Sequence, residues 1–320
     1  MNTIPLIFDE HQINRTVLGG YQQYNDKALN ISVILLNSKS SNFKIHLFEN
    51  LLQCNFKSVI SIEKDGASYN IDDLSKKFPE IKFIIPLEKT NDGDLINLAM
   101  SEIDSEYALV IRDTINIPAG IILPNLADAL TKNKTYCVVP RLFDERNSSI
   151  PCSFTPRIEG THFVVDSSTA VIDGMKTIYP NDYIALYNRE KYIQLGGYDW
   201  TINSPYWQIL DLAIRSWLWG EETKITSLLQ FSYTESYPVL DKTPNIDYIR
   251  YYLKNELPVI KMEQGIIKKS SFFFFKLRSS CGLFEARRQF ISARKWVEQN
   301  RFKFKMDLQT FIEGGGKNEK

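Results

Sequence analysis

The segment Tyr107-Ala-Leu-Val-Ile-Arg112-Asp113-Thr114 puts an apolar run directly before three side chains able to do chemistry. An uninterrupted apolar run reads as a strand covered on both faces, and parallel sheets present ligands beyond the carboxyl ends of such strands. The guanidinium of Arg112 offers a permanent charge and a planar fork suited to phosphate oxygens; the competing reading is an ion pair with a nearby carboxylate. Strand side chains alternate, so Arg112 and Thr114 share a direction that Asp113 does not. Glu63 and Asp65 close a second apolar run, and Asp199 follows the paired glycines Gly196-Gly197. Asp211 stands four residues before Arg215, the spacing of an i,i+4 ion pair on a helix. His11, His46 and His162 are the only histidines, and none has metal-ligand spacing, which argues against a histidine-rich metal site or a Ser-His-Asp triad. Cys54, Cys137, Cys152 and Cys281 lie far apart with no C-x-x-C pair, so the reading is of free thiols in a reducing compartment.

Positioning these groups requires a sheet. Residues 31–36 form a continuous apolar, β-branched run and predict a buried strand, as do residues 58–62, 81–85, 107–111 and 135–139. Between them, residues 43–54, 72–78, 94–103 and 118–131 carry apolar positions at helical spacing. Such alternation means βαβ units and a mostly parallel sheet with right-handed crossovers. Residues 161–165 and 169–172, followed by Asp173-Gly174, have the alternation and turn chemistry of an antiparallel ribbon. A strand at 183–187, a short helix over 188–195 closed by Gly196-Gly197, and a helix over 207–219 closed by Gly220 complete the pattern. Residues 1–30 are polar and read as an irregular arm or a short helix.

At 320 residues the chain is long enough for one large α/β domain with an appendage. The net charge of zero hides an asymmetry: residues 268–305 hold eleven Lys or Arg against Glu285 and Glu298, a local balance of +9 on a body near −9. The first residues lack a basic region and a long apolar run, so they do not read as a signal peptide, and no segment is apolar over the ~20 residues that cross a bilayer.

Over residues 31–226 the chain resembles glycosyltransferase family 2 on the GT-A fold. Four ordered blocks carry the resemblance: Ile31-Ser-Val-Ile-Leu-Leu36; Ser58-Val-Ile-Ser-Ile-Glu63-Lys64-Asp65-Gly66; Asn91-Asp-Gly93 leading through a helix to Glu106-Tyr107; and Leu195-Gly-Gly-Tyr-Asp199 followed by Asp211-Leu-Ala-Ile-Arg215. The resemblance implies a nucleotide-sugar donor, a UDP-sugar by preference, with Glu63 and Asp65 accepting hydrogen bonds from the base or ribose. Arg112, Asp113 and Thr114 then stand where the family's metal-gripping Asp-x-Asp lies, and Gln208 and Ile209 stand where its Glu-Asp pair activates the acceptor. Two readings follow. A guanidinium in place of the cation would make a donor site without a metal, with Asp199 or Asp211 serving the acceptor hydroxyl. Alternatively the chain is a catalytically inactive GT-A protein that binds a nucleotide or glycan or acts as a scaffold. Plainer roles stand beside these: a solvated acidic turn for Glu63 and Asp65, a loop cap for Asp113, a turn residue for Asp199 and a helix-fixing pair for Asp211 and Arg215.

Trp200, Tyr206, Trp207, Trp217 and Trp219 concentrate aromatic area near the expected acceptor side, and Trp217 with Trp219 do not both face inward on one regular helix, so one is expected at the surface. Leu283, Ala286, Phe290, Ala293 and Val297 form an apolar helical stripe with arginines and lysines off it, just after four consecutive phenylalanines. That combination suits an anionic membrane surface and a lipid-linked acceptor, or a helix packed on the catalytic domain; no nucleic-acid motif accompanies the charge. The expectation is therefore an arm at 1–29, a GT-A-like α/β domain at 30–235, a helical basic region at 236–313 and a disordered tail at 314–320, transferring sugar to a cell-envelope or surface glycan from the cytoplasmic side.

Overall fold

A computed structural model describes residues 11–21, 29–37, 44–63, 71–160, 162–279 and 281–315. In chain order the main elements are β1 (Arg15–Gly19), β2 (Ile31–Leu36), α1 (Lys44–Leu52), β3 (Val59–Ile62), α2 (Ile71–Lys77), β4 (Lys82–Pro86), α3 (Asp92–Glu102), β5 (Tyr107–Arg112), β6 (Ile115–Asn116), α4 (Pro124–Thr131) and β7 (Cys137–Phe143). There follow β8 (Ser153–Glu159), β9 (His162–Ser168), β10 (Ala185–Asn188), α5 (Arg189–Gln194), α6 (Pro205–Leu218), β11 (Thr223–Tyr233), α7 (Ile246–Tyr251), β12 (Val259–Lys261), β13 (Gln264–Ile266), α8 (Ser271–Arg278), α9 (Leu283–Gln299) and α10 (Leu308–Thr310).

Nine strands form one sheet in the order β1-β4-β3-β2-β5-β10-β7-β11-β6. β2, β3, β4, β5, β7 and β11 run in one direction, and β1, β10 and β6 oppose them. This is the mostly parallel α/β sheet that the alternating pattern predicts. The register sets the functional edge: Leu36 is level with Ile62 on one side and Arg112 on the other, and Ile62 is level with Ile84. The carboxyl tips of β2, β3, β4 and β5 therefore end together. Every residue of β2, β3 and β5 is buried, with Ala108 and Val110 in one core and Tyr107, Leu109 and Ile111 in the other. Helices cover both faces, so strand alternation feeds two hydrophobic layers instead of one.

Several local expectations shift. Residues 15–19 are not irregular or helical but an antiparallel edge strand on β4, mostly outside the core and hence without a burial pattern to betray it. The antiparallel ribbon forms between β8 and β9, earlier than expected, while Asp173 caps another turn by accepting from Ser227 N and Thr226 Oγ1. The fourth helix starts only at Pro124, which supplies the N1 position, because Gly120 turns the chain at φ +68°. α6 is buried from Tyr206 to Leu218, on all sides, since the C-terminal region covers the face turned away from the sheet. Ala286, Phe290, Ala293, Trp296 and Val297 of α9 join the same core, so the apolar stripe of that helix packs on the α/β domain; Leu283, at its start, is left exposed. No helix among the described residues is long and apolar enough to cross a membrane.

Candidate functional site

At the tip of β5, Arg112 is 7 % exposed and its Nη2 lies 2.7 Å from both Asp92, in the first turn of α3, and Asp182. Burial disfavours the guanidinium charge, but the two carboxylates outweigh it and raise its pKa. Burial pushes the Asp182 carboxyl up, against the pull of Arg112, and the like charge of Asp92 adds to the rise. Asp182 and Tyr183 both sit at positive φ, 49° and 66°, a strained pair that aims the carboxylate at the arginine. The structure thus realises the ion-pair reading of Arg112. It does so through Nη2, and the side chain is almost wholly buried.

β5 ends at Arg112, so strand alternation stops there: Asp113 and Thr114 both line a cavity of about 430 Å³, together with Lys44, Asn50, Asn116 and Glu235, and the direction expected to be common to Arg112 and Thr114 is not kept. Glu63 does not open on this cavity. Its carboxylate is 2 % exposed and accepts from Lys44 Nζ at 2.7 Å and from Asn37 Nδ2 and Ser61 Oγ at 2.9 Å, so it anchors the lysine that does. Asp65 lies outside the described residues.

Asp199 and Asp211 are brought together, but away from solvent. Both are 0 % exposed and share the ammonium of Lys254, at 2.6 and 2.9 Å. Asp199 also accepts from Thr201 N and Oγ1, and Asp211 from Arg215 Nη1 at 2.7 Å and Asn255 Nδ2 at 2.8 Å. Burial works against the Asp199 charge, yet the Lys254 ammonium and the Thr201 bonds hold its carboxyl below the usual range. Two carboxylates and two cations make a balanced, sealed quartet, and neither acid is placed to meet an acceptor hydroxyl. Lys254 and Asn255 belong to the widened helical turn Tyr252–Glu256, so this quartet bolts the C-terminal region to α6.

Gln208, where the resemblance leads one to expect a carboxylate, is committed too. Its Nε2 donates to Asn91 Oδ1, Asp199 O and Ile202 O at 2.7–2.9 Å, while its Oε1 accepts from Gly93 N and Tyr183 OH. A β-carbon on Gly93 would stand 2.4 Å from that Oε1, so glycine is the residue this junction admits. Of the aromatic group, Trp200 reaches a second cavity, whereas Trp217 packs on Phe311 and Trp219 stacks on Trp296 at 5.8 Å. Trp217 is buried, whereas Trp219, just past the end of α6, is only half-buried under the C-terminal region and lines a further cavity, so of the two it is Trp219 that lies nearer the surface.

This second cavity, about 520 Å³, is bordered by His11, Asn91, Asp94, Trp200, Asn203 and Arg250. His11 Nδ1 lies 2.7 Å from Asp94 and its ring stacks on Trp200 with centroids 4.2 Å apart. Burial raises the Asp94 carboxyl, against the pull of His11. Asp113, next to Arg112 in the chain, lines the first cavity, and Asn91, next to Asp92, lines the second. Sequence spacing carried no sign of the His11–Asp94 contact, nor of Lys254, Asp92 or Asp182. Among the described residues no group of three or more His, Cys, Asp or Glu is arranged to hold a metal ion.

No sequence-family profile matches the chain, and no curated protein sequence does. Among solved structures, the chain is similar to GalNAc-T7 crystallised with UDP, GalNAc and Mn2+, with a TM-score of 0.58 at 10 % identity, over 91 % of this chain and 57 % of that one. The chain therefore spans little more than half of that protein's length. It also aligns with the mannosyltransferase PcManGT from Pyrobaculum calidifontis in complex with GDP-Man and Mn2+, with a TM-score of 0.45 at 11 % identity, over 92 % of this chain and 79 % of that one. With its strand tips ending together and helices on both sheet faces, the chain has the GT-A glycosyltransferase fold.

Proposed function

We propose that this chain transfers a sugar from a nucleotide-sugar donor, a UDP-sugar by preference, to a cell-envelope or surface glycan acceptor. The observation that carries the reading is the cavity of about 430 Å³ lined by Asp113 and Thr114 at the shared tips of the parallel strands, where this sheet architecture binds ligands. Asn116 offers an amide suited to phosphate or ribose oxygens, the Lys44 ammonium that Glu63 holds stands at the same wall, and Asp113 offers an acceptor for ribose hydroxyls. Arg112, Asp92 and Asp182 act as the frame that fixes this edge. The reading calls on no divalent cation. The acceptor enters through the second cavity, where Asp94 holds the His11 ring so that Nε2 takes the hydroxyl proton as the new glycosidic bond forms and the bond to the donor phosphate breaks. The acceptor is lipid-linked and met at the inner face of the membrane, a reading supported by the basic C-terminal region.

A second reading is a GT-A protein that binds a nucleotide or glycan and transfers nothing. It is favoured by Arg112, Thr114, Gln208 and Ile209 at the positions where the family's carboxylates are expected, and by the sealing of Asp199 and Asp211. Calorimetry with a panel of UDP- and GDP-sugars, with and without Mn2+, and a donor-hydrolysis assay separate the two. Metal-independent binding lost in Asp113→Ala, with slow hydrolysis, supports the enzyme; binding without hydrolysis supports the second reading; silence across the panel overturns the donor site.

A further inference from the structure

The geometry points to the α8–α9 hairpin as a docking surface for an anionic lipid bilayer. α8 turns Phe275 inward, where it is 1 % exposed and stacks near Tyr252 and Phe290. The same helix leaves Phe273 at 66 %, Phe274 at 65 % and Leu277 at 70 % exposure, and the start of α9 adds Leu283 at 58 % and Phe284 at 89 %. Single exposed apolar side chains are ordinary, but five large ones within residues 273–284 form an apolar cluster of the kind that marks an interaction site. They are not the stripe that helical spacing picks out on α9, since that stripe, apart from Leu283, is core.

The surroundings select the partner. Lys268, Lys269, Lys276, Arg278, Arg287 and Arg288 bracket these rings, with Glu285 as the one acid from 268 to 288. Arg288 is partly neutralised by Glu285 at 2.8 Å, and Arg278 lies 5.3 Å from the Tyr252 ring, yet the balance stays strongly positive. A rim of cations around phenylalanine and leucine matches lipid headgroups of opposite charge, with apolar rings entering the acyl boundary and each cation near the surface adding to the attraction. The body near −9 is repelled by the same surface, so the charge asymmetry orients the molecule with α8 and the start of α9 toward the lipid. The inference deepens the proposed function at one point, the lipid-linked acceptor, and its test involves no sugar.

The test is co-sedimentation of the full chain with vesicles of phosphatidylcholine alone or with about one quarter phosphatidylglycerol. The native chain should bind the anionic vesicles, at least ten-fold more weakly in high salt, and leave the neutral ones in solution. The triple variant Phe273→Ser, Phe274→Ser, Phe284→Ser should lose at least ten-fold of that binding while its thermal unfolding stays unchanged, because none of the three contributes to the core. Equal binding by the native and triple-variant chains would overturn the proposal. So would lipid-free self-association of the native chain, abolished in the variant, which would assign the face to a second copy.

Discussion

Lys254 places its ammonium 2.6 Å from the carboxylate of Asp199, with neither side chain reaching solvent. The same ammonium meets Asp211, so one cation from the C-terminal region serves two acids of the α/β domain. Lys254→Met would leave the carboxylates with Arg215 as their one remaining cation. We expect a loss of about 3–5 kcal/mol at neutral pH, measured by urea unfolding. Without the ammonium, burial pushes the Asp199 carboxyl up, so the folded variant holds a proton that the unfolded chain releases. The deficit should therefore shrink as the pH is lowered toward 4; a deficit independent of pH would show that the quartet is not what the lysine sustains.

Arg112 plays the matching part at the strand tips. Arg112→Met leaves Asp92 and Asp182 facing each other without their common partner, and the expected loss is again about 3–5 kcal/mol. Arg112→Lys keeps the charge but not the fork and should lose less. Thermal unfolding of the two variants ranks them, and equal stability would refute the shared-guanidinium account.

Gln208→Glu puts a carboxylate at the position where the resemblance to glycosyltransferase family 2 implies one, and we expect it to harm the protein. Three oxygens share the two Nε2 hydrogens, and a carboxylate would face all three as another acceptor. A loss of about 1–3 kcal/mol at pH 7 should follow, smaller at pH 5 where a protonated carboxyl can donate once. Denaturant titration at the two pH values gives the answer.

Glu256 predicts a pH dependence of the native fold. Burial pushes its carboxyl from the ordinary 4.5 up to about 7, against the pull of Arg278. Between these values the folded chain keeps a proton that the unfolded chain has lost, so the contribution is full below about 4.5 and declines as the pH rises to about 7. The decline should approach ~3 kcal/mol and vanish in Glu256→Gln. Parallel stability profiles for the two proteins would contradict the assignment.

His11→Gln tests the acceptor side. Donor affinity by calorimetry should not change, while donor hydrolysis should fall by about 10²–10⁴. Loss of donor affinity instead would assign His11 to holding the fold.

Patterns confined to one element were legible in the sequence. Apolar runs at 31–36, 58–62 and 107–111 announced the central strands, and glycines able to take positive φ at 196, 197 and 220 marked the ends of α5 and α6. The charge asymmetry needed no coordinates either. β1 and β11 escaped notice because one is an edge strand with no fully buried residue and the other breaks its register between Thr226 and Gln230, so neither keeps a period of two. The partners of the charged groups belonged to the tertiary structure alone. Asp92 and Asp182 stand 20 and 70 residues from Arg112, and Lys254 lies 55 residues beyond Asp199. A buried charge must be matched by whichever opposite charge the packing brings within about 3 Å, and local sequence carries no record of that choice.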